Sequence, residues 1–245
     1  DDKEDDKEDD KEDDKEDDKE DDDKLQGDGT IEGSKNKIKK VLDNLSNDYE
    51  HTIVEHGSAG NCAYCTMAAA INEKNKLKGN DKFYNYQDIR NKVAKIINNN
   101  KKYTNSNISA IYYQEYDTLI DENNNKEIEE ARQKMISKIK NDKWATELDL
   151  SIISENYKIG IILIDENGDL YKSSMKFNNF RYYTIIYYTP GIHFQSIALK
   201  KKKSNEPFKY LFKCSKKENE LPQPIIDIIN KAASKSEDII KFECP

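Results

Sequence analysis

The hydrophobic pattern changes period once, near residue 158, and that switch limits the possible folds more than any other feature of the chain. Up to Tyr157, apolar residues recur at helical spacing: Ile38, Val41, Leu42 and Leu45; Ile89, Val93, Ile96 and Ile97; Ile128, Ala131, Met135 and Ile139. From Ile159 onwards the apolar runs are short, continuous and rich in Ile, Tyr and Phe, as buried strands are. Helices are predicted over 34–45, 62–71, 86–98, 107–120, 127–140 and 146–157, the last opened by Thr146 with Asp149 three residues on, close to a capping box. Strands are predicted over 159–165, 170–177, 182–188, 193–199 and 208–212. Pro222 and Pro224 precede a final amphipathic helix through Ile225, Ile226, Ile228 and Ile229. Helices first and strands afterwards is an α+β layout, not an alternating doubly wound one. The stretch 49–61, with His56, Gly57, Ser58 and Gly60, reads as a loop.

The N-terminal segment is of another kind. Residues 1–20 are five copies of Asp-Asp-Lys-Glu, and the whole of 1–24 carries a net charge of −12 with no apolar side chain. Such a repeat has nothing to bury, so residues 1–33 read as an acidic, disordered tail and linker, and 34–245 as one domain. Without the tail, the formal charge of −8 becomes +4, with 34 basic and 30 acidic side chains in 25–245. A nearly neutral body whose one basic cluster is 200–203 is a poor nucleic-acid binder. No stretch approaches the roughly 18 apolar residues of a membrane span. The chain begins without Met and shows no apolar signal core, and it reads as a domain of a larger, effector-like bacterial protein. Four Cys are too few for a disulfide scaffold, so the expectation is a reducing, cytosolic compartment, including that of a host cell into which the protein is delivered.

A cysteine nucleophile needs a thiolate, a base, a group that orients the base and donors for the oxyanion. Cys62 follows Gly60-Asn61 at a predicted helix start, where free amides and the helix dipole favour a thiolate. Small residues in 58–61 allow an oxyanion hole made by the Cys62 amide with that of Ala59 or Gly60. Of three histidines, His51 and His56 precede the loop closely, and His193 opens a predicted strand. Gln195 leaves that strand on the same face as His193, so its Oε1 can accept from one ring nitrogen and aim the other at Cys62.

These residues resemble the ovarian-tumour (OTU) domain family of cysteine proteases, which remove ubiquitin. Ala59-Gly-Asn-Cys62 is similar to the family's nucleophile loop, Trp144-Ala-Thr-Glu-Leu-Asp-Leu150 to its Trp-Gly-x-x-Glu-Leu helix start, and Gly191-Ile-His-Phe-Gln-Ser-Ile-Ala198 to the strand bearing the catalytic histidine. The resemblance implies a papain-like OTU-type fold with helices flanking a small mixed or antiparallel sheet, Cys62 as nucleophile, His193 as base, ubiquitin or a ubiquitin-like protein as partner, no cofactor or metal, and a monomer. It departs from the family at Ala59 and Gln195, where an acid is usual. That departure keeps a non-catalytic ubiquitin-binding module as the alternative.

A third reading takes Cys62-Ala-Tyr-Cys65 as a redox motif. A thioredoxin-type motif follows a long apolar strand, which Glu55-His-Gly-Ser-Ala-Gly-Asn61 is not. Cys65, one turn on, reads as core. Cys214 and Cys244 read as isolated, with no second pair for zinc.

Overall fold

The structure, a computed structural model, describes residues 39, 42, 43, 48–57, 60–99, 101–141, 144–171, 180–189, 193–233, 242, 244 and 245. The predicted tail, most of the predicted first helix and most of the strand predicted at 170–177 lie outside these residues. Five consecutive helices run from Cys62 to Tyr157: α1 (Cys62–Leu77), α2 (Tyr86–Ile97), α3 (Asn105–Tyr116), α4 (Asn125–Asn141) and α5 (Glu147–Tyr157). Five strands follow, β2 (Gly160–Ile164), β3 (Tyr182–Thr189), β4 (His193–Lys201), β5 (Leu211–Ser215) and β6 (Glu218–Asn219), and then α6 (Gln223–Ala233). The α+β order is as expected.

One strand overturns the sequence reading. Residues predicted as loop form β1 (Tyr49–Val54), which pairs antiparallel with β4, Val54 opposite Ser196 and Tyr49 opposite Lys201. The path through the sheet is β1-β4-β3-β5-β6, with β2 joined to β3. Tyr183 and Thr184 pair with both β2 and β5, while Ile186 and Tyr187 pair with both β2 and β4. β4 and β5 therefore share one edge of β3, and β2, the one parallel partner, takes the other.

The two sheet faces hold separate cores. Ile161, Leu163, Ile186 and Phe194 pack with α1, α2, α4 and α5. Ile162, Ile164, Ile185, Ile197 and Phe212 pack with Ile225 and Ile229 of α6. Covered on both faces, β2 is buried at every position, which is why its sequence is continuously apolar. The predicted Thr146 cap is present: the hydroxyl accepts from the Asp149 amide and the Asp149 carboxylate accepts from the Thr146 amide.

Cys214 and Cys244, expected to be isolated, are joined in a disulfide across 30 residues of sequence. β5 and the C-terminal segment meet on the α6 side of the sheet, where Phe242 also packs edge-on against Tyr183. The bond is at odds with the expected reducing compartment, because disulfides persist in oxidising ones. Cys62 and Cys65 are free thiols.

Thiol titration of the denatured, unreduced protein should count two cysteines, rising to four after reduction. Cys214→Ser should cost about 2–4 kcal/mol in denaturant unfolding. Burial pushes the hydroxyls of Tyr103, Tyr116 and Tyr157 up to about 12. Their folded pKa values exceed the unfolded ones, so their contribution is intact below pH ~10 and fades as pH rises towards ~12. Absorbance at 295 nm against pH should therefore show late-titrating tyrosines whose ionisation coincides with loss of helical circular dichroism.

Candidate active site

The chain turns sharply before α1. Gly60 has φ 73°, a left-handed conformation that glycine adopts without strain, and Asn61 begins the helix. Asn61 makes no side-chain cap to the helix. Its Oδ1 accepts instead from Arg90 Nε on α2 at 2.9 Å, and Arg90 Nη2 donates to the Gly60 carbonyl at 2.9 Å. Cys62, the first residue of α1, is 1% exposed.

Helix α1 lies against β4, and its Thr66 hydroxyl donates to the Phe194 carbonyl at 3.4 Å. Burial pushes the Cys62 thiol up, against the lowering expected at a helix start. The backbone amides of Phe194, Ala63 and Cys62 and the Arg90 charge pull the other way. Because Thr66 bonds the carbonyl of Phe194, the first turns of α1 lie against the start of β4, next to His193. More than a hundred residues of chain separate the helix start and the strand start that the fold brings together here.

The partner of the His193 ring differs from the expected one. His193 Nε2 lies 2.9 Å from Glu55 Oε1. Gln195 is buried, and its Nε2 has no hydrogen-bond partner among the described residues. The reason is geometric. Residues two apart on a strand share a face but stand nearly 7 Å apart along it, at about 3.4 Å per residue. Carrying the β1–β4 ladder one step beyond Val54 and Ser196 would set Glu55 opposite Gln195 and diagonal to His193. A long side chain spans that diagonal. Reading 49–61 as a loop concealed this acid; the β-branched run Thr52-Ile53-Val54 was the available signal.

The remaining candidates are spread out. Gly60 is buried in the turn before α1, and Ala59 lies outside the described residues. His51 faces Asp43 at 3.6 Å, and His56 Nε2 is 3.0 Å from the Ser196 hydroxyl. Burial lowers the pKa of both rings. Cys65 is partly exposed and lines an open cavity of about 630 Å³ with His56, Asn72, Tyr84 and Tyr210. Trp144, which opens the box similar to the family's helix start, is half exposed. Among the described residues no cluster of three or more His, Cys, Asp or Glu is arranged to hold a metal, and no helix is long and apolar enough to cross a membrane.

No protein-family model and no curated protein matches the chain. Solved structures do. The crystal structure of an OTU deubiquitinase from Wolbachia pipientis wMel aligns at 16% identity over 62% of this chain and 89% of that one, with a TM-score of 0.43. An OTU domain in complex with ubiquitin aligns at 18% identity over 67% and 76% of the two chains, with a TM-score of 0.41.

Proposed function

We propose that the chain is a thiol-dependent deubiquitinase of OTU type, hydrolysing the peptide or isopeptide bond after the ubiquitin C-terminal glycine. The observation that carries the reading is the Glu55 carboxylate on the ring of His193, which opens β4, the strand against which the helix headed by Cys62 is bonded through Thr66. Ubiquitin as the substrate comes from the three sequence boxes. Glu55 takes the orienting role first given to Gln195, and it removes the main argument for an inactive module.

In the proposed reaction Glu55 holds Nε2 of His193, and Nδ1 accepts the Cys62 proton. The sulfur attacks the glycine carbonyl, and the resulting oxyanion is held by the Cys62 amide with those of the turn before it. A carboxylate stabilises the imidazolium formed in this step better than a neutral amide does. Collapse breaks the C–N bond, His193 returns the proton to the leaving amine, and a thioester remains. His193 then takes a proton from water, the hydroxide adds to the thioester carbonyl, and the thiol leaves reprotonated. No cofactor enters, and a single chain suffices. The Cys214–Cys244 bond fits a protein that passes through an oxidising compartment before acting in a host cytosol.

A ubiquitin probe with a C-terminal electrophile tests this reading. The wild type should form a covalent adduct that Cys62→Ala abolishes. His193→Ala should lower kcat by about 10²- to 10⁴-fold. Glu55→Ala should lower it by about 10- to 100-fold, with Gln195→Ala within about threefold of wild type. The nearly complete burial of Cys62 favours the second reading, a binding module, which predicts tight ubiquitin binding with no adduct. A dithiol oxidoreductase would instead lose its activity in Cys65→Ser, which should leave the peptidase intact.

A further inference from the structure

We propose that Arg90 is a positioning residue for the Cys62 loop: it draws the Asn61 side chain away from the start of α1 and anchors the Gly60 carbonyl, so that the turn leading into Cys62 is held in one geometry. The proposal rests on Cys62 being the nucleophile.

Four helices of this molecule permit an internal comparison. Asn85, Thr104 and Thr146 begin α2, α3 and α5 with extended backbone, and each side chain accepts from the amide three residues on. Asparagine is among the best residues for this task, and Asn85 performs it in full. Asn61 does not: its φ and ψ of −99° and −9° are helical, and its oxygen is bound to Arg90 Nε. What distinguishes Asn61 from Asn85 is the guanidinium beside it, not the residue type. With the cap withheld, the Asn61 side chain and the Gly60 carbonyl are both committed to Arg90.

Arg90 is itself fixed. It is 1% exposed, donates through Nη1 to the Ile139 carbonyl near the end of α4, and lies 4.1 Å over the Tyr64 ring. Tyr64 donates to Asp149 at 3.0 Å, the same carboxylate that caps α5. The Cys62 loop is thus tied through one planar cation to α2, α4 and α5. A lysine keeps the charge but lacks the rigid fork that serves acceptors on Gly60, Asn61 and Ile139 together.

Arg132 supplies the control. It is equally buried and ties helix ends in the same manner, donating to the Ile97 and Tyr103 carbonyls, with neither bond on the Cys62 loop. Arg90→Lys, Arg90→Gln, Arg132→Lys and Asn61→Ala should be compared by melting temperature, by kcat and KM on a fluorogenic ubiquitin C-terminal amide, and by the pH dependence of Cys62 alkylation with iodoacetamide. Arg90→Lys should lower kcat by about 10- to 100-fold with KM within about threefold, and should slow alkylation. Arg90→Gln should in addition move alkylation of Cys62 to higher pH. Arg132→Lys should lower the melting temperature comparably yet leave kcat and alkylation within about twofold, since it disturbs no group near the thiol. Should Arg90→Lys fail to fold, Asn61→Ala decides: it removes one acceptor only, and should lower kcat by about tenfold. Equal losses of kcat in the Arg90 and Arg132 variants, or unchanged kcat and alkylation in Asn61→Ala, overturn the proposal. If the wild type ignores ubiquitin altogether, an alkylation change confined to the Arg90 and Asn61 variants still upholds the positioning role, and only the substrate reading fails.

Discussion

The antiparallel register between β1 and β4 is the constraint on which the site depends. With Val54 opposite Ser196 and the ladder running back to Tyr49 and Lys201, the residue after β1 comes beside the residue that begins β4. A shift of one residue would turn every side chain of β1 to the other face and carry Glu55 away from His193. The same strand β4 presents its backbone to α1, through the Phe194 carbonyl. One strand therefore carries both the ring that meets the carboxylate and the backbone that meets α1.

The helical layer fixes the third element, the loop before Cys62. Arg90 brings a full charge into a nearly dry interior, which is costly unless its donors are satisfied. They are met by two groups of the loop and the end of another helix, and the planar cation also covers an aromatic face. Removing it would orphan buried carbonyls at about 1–3 kcal/mol each, so the loop cannot drift without disturbing three helices. Rigidity of this kind suits the role proposed for the loop, in which the oxyanion donors must be in place before charge develops.

The helices were legible because each is long enough to show its period and several carry their own caps. The Thr146 and Asp149 pair is visible in sequence and is bonded as its spacing suggests. The helix that begins at Cys62 and the strand that begins at His193 were also readable, from a glycine turn and from the apolar run that follows the histidine. β1 was not. It is six residues long, sits at the sheet edge, and mixes Glu50 and His51 with its apolar positions, so neither period stands out. Once β1 is missed, Glu55 is invisible as a partner of His193, since only the register relates them. Gln195 took its place because residues two apart on one strand are the nearest candidates that sequence alone offers. The Cys214–Cys244 bond was hidden for a similar reason: 30 residues separate its ends, and only the fold brings them together.

If Glu55 acts through the His193 ring and not independently of it, the two losses cannot multiply. Single-turnover acylation rates for the Glu55→Ala, His193→Ala and doubly substituted proteins measure this coupling directly. The double variant should react at the rate of His193→Ala alone, within about twofold, because a carboxylate with no imidazole to orient has nothing left to contribute. A double variant slower than His193→Ala by the full factor lost in Glu55→Ala would contradict the account.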